Sequence, residues 1–468
     1  MLLTPGRAEA STPVCLTICK KMNAINSAAQ SNQSRVLYRT IWRWHFYAGI
    51  FCIPFVIMLS ITGAIYLFKP YYENWHESQY NGLVVSGERL PANQVIQAAL
   101  NEIPNGKLLS FRLPKTETDA VLIKVQAEQN WQIFVNPYTA EVLGKQDSQW
   151  QLMNIVKTIH GELMIGNVGS VLVELAACWA IVLILSGLYL WWPRKAQGMA
   201  GVLYPRLRNG SRTFWRDLHA VTGIWISSLA LFLLITGLPW ALVWGAALKE
   251  VRSFEMKPVQ QDWTQSRAQE HQHWRDQAAE SFDLTPDVLR TADQLQLAPP
   301  VELSVARINH QHDQATNAHI TEYIWKASSQ SANRPQRADV WIKGDGSIEK
   351  QSGFAEKKLL DKAIGVGIAA HEGALFGWFN LLLGVLTCLG LVLISVSGFI
   401  LWRKRKPHAA LGAPPVMPGK VGFTVVAITL VLAALLPLMA ISLIALLLVE
   451  FVLLRRIKPL NNWLGLSR

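Results

Sequence analysis

Charge is scarce in this sequence: only 16% of the 468 residues are Asp, Glu, Lys or Arg, while 51% are apolar. A soluble globular chain carries about 25% charged residues, so the composition argues against that class. Cysteine is scarce as well. None of the five cysteines falls in the long polar segments 69–168 and 248–370, which excludes a disulfide framework there.

Several enzyme motifs are also absent. The sequence contains no GxSxG and no zincin motif, which argues against a hydrolase. It contains no CxxCH, the attachment motif of covalent c-type haem. The Gly-Val-Gly at Gly365 lacks the third glycine of a dinucleotide-binding fingerprint, so a nicotinamide or flavin site of that kind is not expected.

Long apolar runs are what the sequence has instead, and tryptophans cluster near their ends as in the aromatic belts of membrane proteins. We therefore predict a polytopic α-helical membrane protein. A fifth run, 421–454, has Pro437 near its middle, which favours two short membrane helices over one long one. The predicted segments are a tail 1–40, a span 41–68, an external domain 69–168, a span 169–192, a loop 193–218, a span 219–247, a second external domain 248–370, a span 371–402, a loop 403–420, two membrane helices in 421–454 and a tail 455–468.

The distribution of charge predicts the orientation. Segments 1–44, 193–218, 403–420 and 455–468 hold 6, 6, 5 and 4 Lys or Arg with two acids in total, whereas the external segments hold 23 bases against 27 acids. The positive-inside rule places the four basic segments and both termini in the cytoplasm. The net charge of +12 then reflects topology, and no basic folded domain suggests a nucleic-acid partner.

Four histidines recur at matched spacings. His45 and His219 each open an apolar run and are followed 17 residues later by Thr-Gly. His160 and His371 each precede an apolar run and are followed 26 residues later by Ser-Gly. This pattern predicts an internal duplication in which span, external domain and span occur twice. It places His45 and His219 near the inner face and His160 and His371 near the outer face.

The four histidines have two competing interpretations from the residues alone. They are either interfacial side chains beside lipid headgroups or ligands of a cofactor held between helices. Neutral imidazole is a good axial ligand of haem iron, and helix bundles hold cofactors between facing helices. Zinc remains an alternative, because Glu162 or Glu372 could add an oxygen ligand. Glu174 lies well inside a span, where a buried acid bonded to a neighbouring helix and a proton relay or cofactor-edge partner are equally open.

Both external segments are predicted to combine a helix with antiparallel strands. In the first, the helical pattern "PANQVIQAALNEIP" precedes the strand-like "KLLSFRLP", "AVLIKVQ" and "WQIFVNPYTAEVLG". In the second, "LTPDVLRTADQL" precedes "VELSVARIN", "HITEYIWKAS" and "ADVWIKGDGSIEKQ", whose Gly-Asp-Gly signals a hairpin. Two small α+β domains are therefore expected.

The stretches "RWHFYAGIF", "NPYTAEVLG", "IHGELMIGN", "RDLHAVTGIW" and "AHEGALFGWFN" resemble the PepSY-associated transmembrane family, which includes FoxB-like ferric-siderophore reductases. The resemblance covers about residues 40–456. It implies two periplasmic PepSY-like domains, two b-type haems and reduction of ferric siderophore at the bacterial inner membrane. Carried onto this chain, it makes His45, His160, His219 and His371 the candidate haem-iron ligands.

The resulting expectation is a haem-containing reductase that moves electrons across the bilayer and releases iron from a ferric siderophore in the periplasm. Its expected partners are the siderophore, membrane lipid and an electron donor, either a quinol or a cytoplasmic reductase. Pairing of His45 with His219 and of His160 with His371 is favoured over pairing within one half. The alternatives are a permease for siderophore or iron, and a non-enzymatic PepSY sensor or peptidase regulator.

Overall fold

The computed structural model describes residues 13–194, 198–253, 278–313, 318–416, 422–454 and 456–466. Its helices, in chain order, are α1 Pro13–Tyr66, α2 Lys69–Glu77, α3 Ala92–Asn101, α4 Leu152–Glu162, α5 Gly166–Trp191, α6 Ser211–Gly237, α7 Leu242–Ser253, α8 Pro286–Gln294, α9 Leu359–His371, α10 Trp378–Arg405, α11 Phe423–Leu435, α12 Pro437–Val449 and α13 Lys458–Leu464. Its strands are β1 Lys107–Arg112, β2 Val121–Gln126, β3 Asn130–Val135, β4 Val142–Asp147, β5 Val301–Asp313, β6 Ala318–Ser329, β7 Ala338–Lys343 and β8 Ile348–Gly353.

Within the described ranges, five helices are long and apolar enough to cross a membrane, which confirms a multi-pass membrane protein. Only a minority of the side chains along them are buried, as expected of helices that face lipid. The candidate spans are Gln33–Tyr66, Gly166–Trp191, Ser211–Trp240, Trp378–Arg405 and Pro437–Leu454.

The C-terminal apolar run breaks where the sequence predicts. Helix α11 ends at Leu435 and α12 begins at Pro437, because proline cannot donate to the preceding turn and fits the first helical positions. With its 13 residues, α11 is about 20 Å long, shorter than a hydrocarbon core of about 30 Å. Helix α12 and the π-helical turn after it reach the length of a span.

Several span boundaries differ from the predicted ones. Helix α1 begins at Pro13, so much of the predicted tail is helical, and residues 1–12 lie outside the described part. The third span starts at Ser211 and stops near Pro239, so that α7 is a separate helix. Hydropathy does not mark these ends, because polar residues of a helix can continue it beyond the bilayer.

His371 does not open the fourth span but ends the short helix α9. A tight connection with Gly373 at φ +75° and Gly377 at φ +60° separates it from α10. The earlier segment has the same layout: α4 carries His160, Leu163 at φ +52° and Met164 at φ +60° separate it from α5, and α5 begins at Gly166 with φ +62°. These left-handed positions turn the chain sharply, and glycine takes them without steric cost.

The structure groups the residues into two compact units. One comprises Met1–Ile53, Cys178–Trp225 and Val396–Arg468, and the other comprises Pro54–Ala177 and Ile226–Ser395. The first unit contains His45 and His219. The second contains His160, His371 and all eight strands.

The strands form one continuous antiparallel sheet in the order β4-β3-β2-β1-β5-β6-β7-β8. The predicted strands are confirmed, but the expected separation into two sheets is wrong. Strand β1 pairs with β5, with Phe111 opposite Leu303 and Arg112 opposite Glu302. One buried cluster, which includes Ile96, Val288 and Trp325, packs α3 and α8 against this sheet. Without this pairing, β1 and β5 would each be an edge strand with unpaired backbone N–H and C=O groups, and here each strand pairs those of the other.

A buried carboxylate marks the junction between the two halves of the sheet. Glu302 is 8% exposed and lies 2.7 Å from Lys124 Nζ, and it accepts a 3.0 Å hydrogen bond from Ser110 Oγ. Burial by itself raises the pKa of Glu302, but the cations of Lys124 and Arg112 outweigh it and lower that pKa to about 2. The carboxylate therefore stabilises the folded sheet when it is ionised.

We expect Glu302→Gln to lower the free energy of unfolding at pH 7 by about 1–3 kcal/mol, because two partly buried cations lose their counter-charge. In the native protein, this stabilisation is present above the unfolded pKa of about 4.3 and is lost as the pH falls towards 2. The unfolding temperature of the detergent-solubilised chain, followed by tryptophan fluorescence, should thus fall more steeply between pH 5 and pH 3 in the native protein than in the variant.

Glu349→Gln is the matched control, because Glu349 pairs with an exposed Arg307 at 2.7 Å. Its effect at pH 7 should stay below about 1 kcal/mol. Equal effects of the two variants would contradict a special role for Glu302 at the junction.

Candidate functional site

His45 on α1 is held by a hydroxyl from α5. Its Nδ1 lies 2.9 Å from Ser186 Oγ, and that hydroxyl donates its own proton to the carbonyl of Leu183 at 3.1 Å. The serine oxygen is therefore left to accept from an Nδ1–H group. This arrangement favours the tautomer in which Nε2 carries the lone pair that a metal ion would use.

His219 on α6 occupies the equivalent place in the second half. Its Nδ1 lies 3.3 Å from Ser397 Oγ on α10. The rings of His45 and His219 meet: their centroids are 6.4 Å apart and their planes are 83° from parallel. The structure thus brings together His45 and His219, the two histidines that open apolar runs in the sequence, and we call them the first histidine pair.

His160 on α4 is held by a threonine of α1. Its Nδ1 lies 2.9 Å from Thr62 Oγ1, which donates to the carbonyl of Met58 at 2.9 Å. As with Ser186, the hydroxyl proton is already used within its own helix. The threonine oxygen is left to accept, which again favours the tautomer with the proton on Nδ1.

His371 on α9 repeats this contact with α6. Its Nδ1 lies 2.9 Å from Thr236 Oγ1, which donates to the carbonyl of Phe232 at 2.8 Å. Burial lowers the pKa of His371, although the carboxylate of Glu372 acts in the opposite direction. The imidazole is therefore neutral at physiological pH, the form that binds metals.

Each of the four hydroxyls is followed by a glycine that touches the same histidine. A methyl group added at the glycine would lie close to the Cε1 atom of the imidazole, so the ring rests against bare backbone. The distances from that methyl position to Cε1 are 3.2 Å for Gly187 and His45, 3.3 Å for Gly398 and His219, 3.4 Å for Gly63 and His160, and 3.6 Å for Gly237 and His371.

These contacts account for the spacings of 17 and 26 residues. Thr62-Gly63 lies on the same helix as His45 but contacts His160, and Ser186-Gly187 follows His160 in the sequence but contacts His45. The sequence shows these dipeptides at matched spacings but does not show what they contact. A hydroxyl amino acid followed by glycine is common in membrane helices, so only the packing reveals the partner.

The donor set of the first histidine pair fits a six-coordinate haem iron. An imidazole nitrogen binds a metal at about 2.0–2.1 Å, and the ring centre lies about 1.2 Å further away. Two imidazoles on opposite sides of one iron therefore have centres about 6.4–6.6 Å apart. The observed 6.4 Å lies within this range, and perpendicular ring planes are compatible with it.

The described side chains offer too few ligands for a zinc ion. It takes three or four ligands, and in the described ranges no group of three or more His, Cys, Asp or Glu side chains converges on one point. Glu372, considered as an oxygen ligand, lies instead 3.9 Å from Arg334. The histidines with their hydroxyl partners therefore match a haem better than a zinc ion.

A family model described as the PepSY-associated TM region matches residues 42–405, more than three quarters of the chain. This chain belongs to the PepSY-associated transmembrane family. No curated protein matches it. The matched region of the PepSY-associated chain contains all four histidines and all four hydroxyl–glycine dipeptides, whereas α11, α12 and α13 lie beyond it.

Glu174 has a definite partner in the PepSY-associated chain. It is 2% exposed, and its carboxylate accepts from the backbone N–H groups of Val243 at 2.8 Å and Trp244 at 2.9 Å. Both donors lie in the first turn of α7, where N–H groups have no partner within the helix and negative charge is favourable. Of the two interpretations of Glu174, the geometry favours the acid bonded to a neighbouring helix.

We expect Glu174→Gln to lower the free energy of unfolding by about 1–2 kcal/mol, because an amide offers one acceptor oxygen to two N–H donors. Thermal unfolding of the detergent-solubilised variant measures this. An unchanged unfolding temperature would contradict this structural role of Glu174.

Proposed function

We propose that this protein is a haem-containing reductase of the bacterial inner membrane that carries electrons across the bilayer and reduces a ferric siderophore in the periplasm. The observation that carries the proposal is the first histidine pair, in which two imidazole rings lie with their centroids 6.4 Å apart, a separation that two ligands of one haem iron would have. Each Nδ1 has a hydroxyl partner, which leaves Nε2 as the metal-binding nitrogen.

In this proposal, His45 and His219 hold one b-type haem, and His160 and His371 hold a second. When bound, the two haems would supply reversible one-electron redox chemistry. The chain's own residues set the conditions for it. Neutral imidazoles act as ligands, serine and threonine hydroxyls fix their orientation, and apolar helices exclude water.

The two halves of the chain support this assignment by repeating the same contacts. A histidine on α1 or α6 bonds a serine of α5 or α10, and a histidine on α4 or α9 bonds a threonine of α1 or α6. We interpret the repeat as an internal duplication. A duplicated chain would place its equivalent histidines at equivalent depths, which favours pairing between halves rather than within one half.

The proposed direction of electron transfer rests on charge. The segments that flank His45 and His219 are rich in Lys and Arg, so the positive-inside rule assigns the first histidine pair to the cytoplasmic side, together with both termini. His160, His371 and the eight-stranded sheet then belong to the periplasmic side. The sheet and the outer ends of the spans would meet the siderophore.

Electron balance defines the partners. Each ferric ion takes one electron, and a quinol that is oxidised to a quinone releases two electrons and two protons, enough for two ferric ions. Because the sequence lacks a dinucleotide fingerprint, the donor must be such a quinol or a separate cytoplasmic reductase. Ferrous iron binds the hard oxygen ligands of a siderophore less tightly than ferric iron does, so reduction releases it.

We expect the purified chain to contain two haems and to show their Soret band, with each single variant His45→Ala and His219→Ala retaining about half of the porphyrin. The control is His408→Ala, an exposed histidine in the basic loop after α10, which should retain both haems. Pyridine haemochrome analysis measures the ratio of haem to protein.

In vesicles supplied with a short-chain quinol, the native chain should reduce an external ferric trihydroxamate complex, and the ferrous iron is trapped by ferrozine. His160→Ala and His371→Ala should lower this rate at least tenfold. A chain without stoichiometric haem would favour the sensor or peptidase regulator. Uptake of the complex with its iron still ferric would favour the permease.

A further inference from the structure

We infer that the hydroxyl–glycine dipeptides position the histidines, so that each span supports a ligand carried by a different helix. The four dipeptides are Thr62-Gly63, Ser186-Gly187, Thr236-Gly237 and Ser397-Gly398. This inference rests on the proposed function, because positioning an imidazole matters here only if the imidazole binds haem iron.

The first step of the argument is the position of the protons. Thr62, Thr236 and Ser186 each donate their single hydroxyl proton to a carbonyl three or four residues earlier in the same helix. A hydroxyl oriented in this way presents a lone pair to its neighbour. This favours the tautomer in which the neighbouring Nδ1 carries the proton and the lone pair of the imidazole is on Nε2.

The second step is orientation. A single hydrogen bond leaves a ring free to swing about the Nδ1–oxygen axis. The glycine next to each hydroxyl provides a second contact, because Cε1 packs within 3.2–3.6 Å of the position where a Cβ would be. Two contacts on one edge of the ring fix the direction in which the opposite nitrogen points. An alanine at Gly187 would push this edge away, and real Cβ atoms rarely approach so closely.

The third step is that each histidine and the dipeptide that supports it belong to different helices. Helix α1 carries His45 and supports His160, while α6 carries His219 and supports His371. A change in the hydroxyl of α1 should therefore alter the haem bound by His160 and not the haem bound by His45, although His45 is on the same helix. Sequence proximity alone gives no reason to expect this.

The chemical consequence is a change in ligand basicity. An Nδ1–H group that donates to a fixed acceptor makes Nε2 a stronger donor to the metal, and this favours ferric over ferrous iron. Loss of the acceptor should raise the midpoint potential of the haem concerned. It should also weaken retention of that haem, since loss of such outer partners typically costs about 10–100-fold in metal affinity.

The test is a redox titration of the purified full chain followed in its optical and electron paramagnetic resonance spectra. His45→Ala and His160→Ala first identify which signals belong to which ligand. Thr62→Val removes the hydroxyl at nearly constant volume, and Thr62→Ser restores it. Thr387→Val is the matched control, because Thr387 is a buried threonine whose hydroxyl donates to Leu383 within α10.

We expect Thr62→Val to raise the midpoint potential of the signal that His160→Ala removes and to speed transfer of that haem to apomyoglobin about tenfold or more. The signal that His45→Ala removes should stay unchanged, and Thr62→Ser should restore the native values. Thr236→Val should act in the same way on the signal that His371→Ala removes, which provides a second test if Thr62→Val folds poorly.

Unchanged potentials in both valine variants, or a shift confined to the signal assigned to His45, would overturn this inference while leaving the haem assignment intact. A native chain that binds no haem would instead end the proposed function and, with it, this inference. Thr387→Val should match the native protein in every measurement. A shift in that control would show that loss of any buried hydroxyl perturbs the haems, which also contradicts the assignment.

Discussion

The hydrogen bond between a histidine Nδ1 and a hydroxyl of another helix is the interaction on which the helical part of this protein depends. An imidazole at the level of a membrane span is costly unless its polar atoms have partners. The chain meets this requirement four times with one device, a serine or threonine followed by glycine. The hydroxyl satisfies the nitrogen, and the glycine lets the ring approach the helix closely.

This device also explains why the two external segments are followed by short helices rather than leading straight into spans. His160 lies in the last turn of α4, and His371 is the last residue of α9. Each helix is followed by a short connection to the next span that contains residues with positive φ. A histidine on a separate short helix can be aimed at a neighbouring span independently of the direction of its own. Fixed backbone turns then hold it there.

The sheet illustrates a second constraint, the need to cover exposed strand edges. Segments 69–168 and 248–370 each supply four strands, and β1 and β5 pair to make a single sheet. The junction contains Glu302, with Lys124, Arg112 and Ser110 as partners. A buried charge surrounded in this way disfavours alternative pairings, because a shifted register would leave the carboxylate without counter-charge.

The sequence by itself determined the local features of this protein. Hydropathy identified the membrane helices, Pro437 located the break in the last apolar run, alternating residues marked the strands, and matched spacings singled out the four histidines. Family membership was also readable from the motifs and is confirmed over residues 42–405. Haem ligation by these histidines stays a prediction.

Only the tertiary structure decided which residues meet. It joined the two external segments in one sheet, brought His45 to His219, gave Glu174 its partners at the start of α7, and paired each histidine with a dipeptide on another helix. The physical reason is that helix and strand formation depends on neighbours along the chain, whereas partner choice between helices and between strand edges depends on packing among residues distant in sequence. A periodic pattern shows which face of a helix or strand must be buried, but it does not show which other element packs against that face.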